Sequence, residues 1–180
     1  MHKKLLKFYC FIDKLIIEDV KKLNSKIAII YRNYETKPKN SEIIRFKNYC
    51  KLTNRKFFIS NYIDLAVKFK LNGLYIPSFN KKFISKNLKT IPNFEIIGSA
   101  HNLKEIKIKE NQNVSQIFLS SIFKVKKKSN YLGVCKFNNL SRVTKIPIIA
   151  LGGINNNNIK SLQMTNAFGL AGISHFKCKE

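Results

Sequence analysis

The chain has 180 residues, 44% of them hydrophobic and 12% aromatic, and its formal net charge is +24. This apolar content can bury a core, so the composition excludes a disordered chain and favours one globular domain over residues 1–180. The charge comes from 30 scattered Lys and only 4 Arg, a balance that A/T-rich coding explains without a nucleic-acid partner. No run approaches the length of a membrane span, about 18 apolar residues, and the cysteines form no C-x-x-C pair. We therefore expect a cytoplasmic protein with neither a membrane nor a nucleic-acid partner.

Taken in chain order, eight short apolar runs are each followed by a more polar stretch, as in βα units whose parallel strands are buried. The predicted strands are Phe8–Ile12, Ile27–Tyr31, Phe57–Ser60, Gly73–Ile76, Glu95–Gly98, Gln116–Leu119, Pro147–Leu151 and Gly169–Ile173. Helical periodicity is clearest after the second strand, where apolar residues repeat from Ile43 to Leu52. Ser41 is the predicted N-cap of this helix.

Apolar faces within residues 63–69, 103–108 and 159–164 predict three further helices. Eight βα units fit either a (β/α)₈ barrel of the TIM type or an open, doubly wound sheet, and the count of eight favours the barrel. Barrels of this type usually have at least about 200 residues. We therefore expect a short barrel whose final helix is missing or rudimentary.

Two glycine-bearing strand ends predict a phosphate site. The seventh strand ends in Gly152-Gly153, whose backbone amides can approach a phosphate without obstruction by a side chain. The eighth runs into Ile173-Ser174, where a backbone amide and the hydroxyl can donate to the same oxygens. Either motif alone fits a simple tight turn equally well. Together they predict phosphate binding, because the loops after strands seven and eight commonly hold phosphate in such barrels.

Five groups of residues follow one another in a particular order and spacing over nearly the whole chain. They are Phe8 to Asp13, Asp64 to Ala66 with Gly73 to Ile76, Ile96 to Glu105, Pro147 to Ile154, and Gly169 to Ser174. In this arrangement they resemble the thiamine phosphate synthase and thiazole tautomerase superfamily. The resemblance implies a role in thiamine biosynthesis and a small phosphorylated thiazole as ligand. It also implies a homo-oligomer, in which a second copy covers the seam left by a missing final helix.

The metal site of that family is not matched here. The synthase joins a thiazole phosphate to hydroxymethylpyrimidine pyrophosphate, with Mg²⁺ on the pyrophosphate. The resemblance places its two metal-binding aspartates at Asn61 and Asn80, whose neutral amides are weak ligands for Mg²⁺. Of the family's Gln-x-Arg-x-Lys signature after strand two only Arg32 remains, and Tyr34 stands where the lysine is expected. The resemblance therefore implies no cofactor, with Mg²⁺ needed only if this chain is an active synthase.

The thiazole-phosphate end is better kept. Gly152, Gly153, Ile173 and Ser174 match the family, and Lys128 falls where it has a loop lysine, although solvated charge explains this lysine equally well. Ser99-Ala100-His101 matches the Ser-x-His of the tautomerase branch, whose histidine transfers a proton without a metal. Free imidazole has a pKa near neutral pH, so it can both take and return a proton.

Three hypotheses follow from these residues. The first is a tautomerase-like protein in which His101 transfers the proton and Arg32 and Ser99 contact the substrate. The second is a divergent thiamine phosphate synthase that uses Asn61, Asn80 and the loop carrying Lys128 in place of the missing carboxylates and cation. The third is a non-catalytic phosphate-binding or regulatory barrel that the charge of +24 draws to nucleic acid, and in which His101 only caps a turn.

Overall fold

The structure is a computed structural model that describes residues 7–82, 88, 90–125 and 130–172. Eight strands close into a barrel in chain order, and each strand is parallel to both neighbours. They are β1 (Lys7–Ile12), β2 (Ile27–Tyr31), β3 (Phe57–Ser60), β4 (Gly73–Ile76), β5 (Glu95–Ala100), β6 (Gln116–Ser120), β7 (Ile148–Leu151) and β8 (Gly169–Gly172). The predicted (β/α)₈ barrel is confirmed, and every predicted strand is present.

Helices connect most of the strands. They are α1 (Ile17–Lys21), α2 (Asn40–Leu52), α3 (Ile63–Lys68), α4 (Leu103–Asn111), α5 (Gly133–Ser141) and a 3₁₀ helix (Ile159–Met164). The last of these was predicted as an ordinary helix but has only the tighter form. Among the described residues between β4 and β5 there is no α-helix.

The predicted N-cap of α2 is wrong. The helix begins at Asn40, so Ser41 already lies inside its first turn. The carboxylate of Glu42 instead accepts the backbone N–H of Lys39 at 3.0 Å. An acidic side chain within the first turn thus satisfies a donor that the helix itself leaves free.

The interior of the barrel is filled by aromatic side chains, because alternate residues of each strand point inward. Tyr9 and Phe118 pack edge to face with ring centroids 4.9 Å apart, and Phe11 packs in the same way on Tyr75 at 5.2 Å. The Tyr9 hydroxyl donates to Gln116 Oε1 at 2.7 Å, near the amino-terminal ends of β1 and β6. A larger apolar layer lies between the outer face of the strands and the helices.

Three predictions are not tested by the structure. The extent of any final helix depends on residues beyond Gly172, and the structure does not describe these. Homo-oligomerisation and cytoplasmic location also stay predictions. Among the helices of the described ranges, none has the length and apolar character needed to cross a membrane.

Candidate active site

Arg32 and Ser99, the two predicted substrate contacts, come together at the carboxyl ends of the strands. The guanidinium of Arg32 lies over the ring of Phe11, 4.7 Å from its centroid. Ser99 is buried within β5. Both lie near the Tyr75 hydroxyl: burial raises the pKa of Tyr75 to about 12, and Ser99 and Arg32 oppose this rise. A cation and two hydroxyls therefore face the upper end of the barrel interior.

Asn61 and Asn80 are also brought together, although they follow different strands. Asn80 Nδ2 donates to Asn61 Oδ1 at 2.9 Å. Asn61 has a left-handed backbone, with φ of +62°, and its N–H donates to the Tyr75 carbonyl at 3.0 Å. Asn61 Oδ1 already accepts a hydrogen bond from Asn80 Nδ2. The pair therefore has few free oxygen lone pairs with which to bind a cation. Within the described ranges no three His, Cys, Asp or Glu side chains cluster to hold a metal. The residues present do not fit Mg²⁺, which prefers carboxylate oxygens.

An aromatic pair lies at the rim beside these amides. Tyr34, after β2, and Phe79, after β4, are both exposed and pack edge to face with centroids 5.3 Å apart. Partial burial raises the pKa of the Tyr34 hydroxyl, so this side chain stays neutral at ordinary pH. The rim therefore presents apolar surface where the family signature has a cation.

A buried lysine that the sequence analysis missed holds the segment carrying Asn80. Lys109 of α4 is fully buried, and its Nζ donates to the carbonyls of Pro77 at 2.8 Å and Asn80 at 2.9 Å and to Gln112 Oε1 at 2.7 Å. Burial lowers the pKa of Lys109 to about 8, with Glu105 opposing. The amine is thus charged at neutral pH, and its three donors each have an acceptor.

His101 is paired with a carboxylate that the sequence analysis also missed. Its Nδ1 lies 2.9 Å from Glu105 Oε2, and the same oxygen accepts the His101 backbone N–H at 2.7 Å. Asn102 caps α4 by accepting the Glu105 N–H at 2.9 Å, and its Nδ2 donates to Glu105 Oε1 at 3.3 Å, so the carboxylate is held by His101 on one oxygen and by Asn102 on the other. Burial raises the pKa of Glu105, but the hydrogen bonds and charge of His101 more than offset this and lower it overall. Glu105 therefore stays ionised and orients the imidazole.

A cavity of about 310 Å³ opens beside His101, within the size range of small-molecule sites. It lies between the ends of β5 and β6 and the start of α5. Its lining consists of His101, Ser120, Ser121, Asn130, Tyr131, Leu132 and Lys136. Nε2 of His101 has no hydrogen-bond partner in the part of the chain that the structure describes, so this nitrogen is free to act on a bound molecule. Lys136 supplies a cation that the sequence analysis did not single out.

Gly152 and Gly153 form a corner packed against the segment after β6. Both have positive φ, +94° and +72°. A Cβ on Gly153 would lie 2.5 Å from the Phe123 carbonyl oxygen, and one on Gly152 would lie 2.9 Å from Ser121 Cβ. The backbone amides of Gly153 and Ile154 donate no hydrogen bond to the described residues. The corner thus needs glycine for its shape and leaves amides free for an anion.

We expect Gly153→Ala to destabilise the protein by about 2–4 kcal/mol, because a positive φ and a backbone clash are imposed together. The measurement is urea unfolding. Gly133→Ala is the matched control: its φ is +67°, but nothing lies within 4 Å of its added Cβ, so only the backbone strain, about 1 kcal/mol, should appear. Equal losses in the two variants would show that the close approach at Gly153 does not matter.

Three predicted phosphate ligands cannot be placed. Lys128, Ile173 and Ser174 lie outside the described residues, and their roles stay predictions. Of the predicted phosphate ligands, the structure describes those of the Gly152-Gly153 corner. This corner lies at the same end of the barrel as Arg32 and His101, which is the end where this fold carries its active sites.

These features define a TIM-type barrel with a ligand-sized, polar site at the carboxyl ends of its strands. A family profile described as thiamine monophosphate synthase matches residues 16–176, and the chain belongs to that family. The family resemblance predicted from the motifs is thereby confirmed.

Relatives and solved structures agree with this family. A thiamine-phosphate synthase of Methanococcus vannielii is 31% identical over 66% of this chain and 58% of its own length. One from Hydrogenobaculum sp. is 25% identical over 91% of this chain and 79% of its own length. The aligned stretch thus spans little more than half of the Methanococcus protein. The solved structure of thiamine phosphate pyrophosphorylase from Pyrococcus furiosus has a TM-score of 0.76 at 24% identity, covering 94% of this chain and 86% of that one, and supports the fold.

Proposed function

We propose that this protein catalyses proton transfer on a thiazole phosphate carboxylate without a metal, in the manner of the tautomerase branch. The observation that carries the proposal is the 2.9 Å contact between His101 Nδ1 and the Glu105 carboxylate. A carboxylate on Nδ1 fixes the tautomer of a histidine and leaves Nε2 to exchange protons. His101 lines the 310 Å³ cavity, and its Nδ1 is taken by Glu105.

The remaining residues suit a substrate with a carboxylate at one end and a phosphate at the other. Arg32 carries the planar, forked donors that match a carboxylate, and the Ser99 hydroxyl adds a neutral donor. The amides at Gly152 and Gly153 would hold the phosphate, together with Lys128, Ile173 and Ser174 from the undescribed segments.

The amide pair Asn61–Asn80 supports a metal-free reaction. Two amides bonded to each other at 2.9 Å supply neither the negative charge nor the free oxygens that bind Mg²⁺. The aromatic rim at Tyr34 and Phe79 lacks the cation that would neutralise a pyrophosphate. Pyrophosphate departure is therefore poorly supported at this site, whereas proton transfer needs none of these groups.

A second candidate is thiamine phosphate synthesis, which the names of the relatives favour. It would require the carbonyl oxygens of Asn61 and Asn80 to turn toward a metal ion and break their mutual hydrogen bond. The missing charge would have to come from lysines, which position a leaving group less well than a fixed ion.

Two assays on one preparation test the proposal. Conversion of the thiazole phosphate carboxylate to its aromatic form, followed by ultraviolet absorbance, should exceed the protein-free rate and be unaffected by EDTA. Thiamine phosphate formation from hydroxymethylpyrimidine pyrophosphate and thiazole phosphate should stay at the background level with or without Mg²⁺. Mg²⁺-dependent thiamine phosphate would overturn the proposal in favour of the synthase. If folded protein binds thiazole phosphate but forms neither product, the hypothesis of a non-catalytic phosphate-binding barrel is the one that remains.

A further inference from the structure

A second cavity lies at the opposite end of the barrel from the proposed active site. It is bordered by the C-terminal ends of α2 and α3 and by the first residues of β3 and β4, and its volume is about 410 Å³. Its lining includes no acidic residue and five cationic ones, which are Lys47, Lys51, Arg55, Lys56 and Lys70. Such a density of one charge in a concave site focuses a positive potential there.

Two of these cations already have partners. Lys56 forms an ion pair with Glu95. Arg55 is buried and donates to the carbonyls of Leu23, Asn24 and Ile27 at 2.9–3.1 Å, so it holds the segment between α1 and β2 and the start of β2. Its charge still contributes to the cavity, because the acceptors are neutral carbonyls.

The other three cations are unpaired. Lys47, Lys51 and Lys70 have no acidic group within 4.0 Å in the described ranges of the chain. Lys51 lies in the last turn of α2 and Lys70 just beyond α3, where the helix dipole favours a positive charge. The helix dipoles thus explain Lys51 and Lys70, but they do not explain why Lys47 lines the same cavity.

The backbone at Lys70 places this side chain at the end of α3. Its φ is +46°, and the other non-glycine residues with positive φ in the described part of the chain are all asparagine. This left-handed residue belongs to the turn that ends the helix, in which the Lys70 N–H donates to the Val67 carbonyl at 3.0 Å and the Leu71 N–H donates to the Ala66 carbonyl at 2.9 Å. Glycine or asparagine would suit this conformation better, whereas the lysine adds a cation to the lining of the cavity.

We propose that this cavity binds a small anion that carries several phosphate groups. Phosphate oxygens accept charge-assisted hydrogen bonds from lysine, and several linked phosphates match several separate ammonium groups. Asn72 adds a neutral donor, because its Oδ1 accepts the Phe57 N–H at 2.9 Å and its Nδ2 donates to none of the described residues. The volume of about 410 Å³ fits a small molecule, and cations gathered around one hollow differ from the extended basic stripe that follows a nucleic-acid backbone.

The test is calorimetric titration of the full chain with inorganic triphosphate at about 0.15 M salt. The variant combines Lys47→Gln, Lys51→Gln and Lys70→Gln, and it should bind about 30-fold more weakly than the parent, as expected for the loss of three charge-assisted contacts. The matched control combines Lys21→Gln, Lys104→Gln and Lys145→Gln, three exposed lysines outside the cavity. It removes the same charge and should bind nearly as well as the parent.

Other outcomes would overturn the proposal. These are equal weakening in both triple variants, no saturable binding by the parent, or binding of a single-stranded oligonucleotide but not of triphosphate. Loss of binding on Arg32→Gln would place the anion at the proposed active site instead. Circular dichroism and thermal unfolding without ligand keep the test independent of misfolding. Because the readout is binding, it does not depend on whether the proposed proton transfer occurs.

Discussion

Replacing His101 by alanine is expected to lower the rate of thiazole proton transfer by about 10²–10⁴-fold, the usual contribution of a positioned general acid–base group. The loss should appear in kcat more than in KM, because Arg32 and the Gly152-Gly153 corner would still bind the ends of the substrate. Glu105→Gln should have a smaller effect of the same kind, since the amide keeps a hydrogen bond to Nδ1 but removes the negative charge. The measurement is the absorbance assay under initial-rate conditions.

The alternative role for His101 is that of a turn residue before α4. Its side chain is 39% exposed, so its removal should cost no more than about 1 kcal/mol of folding free energy. Lys104→Ala, at an exposed position of the same helical turn, is the matched control and should retain the parental rate. If His101→Ala has the same turnover rate as this control and only a lower stability, the role of His101 is that of a turn residue and not of a proton donor or acceptor.

The strands could be read from the sequence because buried parallel strands are continuous apolar runs, and these runs are separated by polar stretches. The largest error in their bounds is at β5, which was expected to end at Gly98 but continues to Ala100. Ser99 and Ala100 are small and carry little strand preference of their own. They are held in the strand by pairing with Phe118 and Leu119 of β6, and a single sequence does not contain that register.

The helices were harder, for a related reason. The 3₁₀ form at 159–164 follows a turn in which Asn155 Oδ1 accepts the N–H of Asn157 and Asn158 at 2.9 and 3.2 Å. The apolar spacing in this segment is compatible with either kind of helix, and the short connection to β8 selects the tighter one. α5 was missed although Val134, Cys135, Phe137 and Leu140 are apolar, and only Phe137 and Ser141 of this helix are buried.

Within the candidate site, each residue was placed at a strand end but its partners were not found. Asn61 and Asn80 meet only because β3 and β4 are adjacent in the barrel. Glu105 did leave a signal, since it stands three residues after the N-cap Asn102, where an acidic side chain often reaches back to the start of a helix. Lys109 left a weaker one. It lies three residues after Ile106 on the buried face of α4, a position at which lysine is rarely found.

That buried lysine leads to a large expected effect on stability. Lys109→Met should lower the free energy of unfolding by about 2–4 kcal/mol, because it leaves the Pro77 carbonyl and Gln112 Oε1 without their donor and the Asn80 carbonyl with only the Gln112 amide. Methionine has a similar length, so the loss is not one of packing. The matched control is Lys107→Met on the same helix, which removes only an exposed ion pair to Glu110 and should cost less than about 1 kcal/mol. Urea unfolding measures both.

The pH dependence separates the charge of Lys109 from its packing. Burial lowers the pKa of Lys109 from 10.5 to about 8, so between these pH values the unfolded chain binds a proton that the folded chain does not. Stability rises with pH wherever the unfolded state binds more protons. The parent should therefore gain stability relative to Lys109→Met as the pH rises from 8 to 10.5, and the difference should be constant below this window. A difference that stays flat or narrows would mean that the buried amine keeps its charge. In that case its three acceptors, and not its burial, would set the pKa of Lys109, and the segment carrying Asn80 would be held equally firmly at every pH tested.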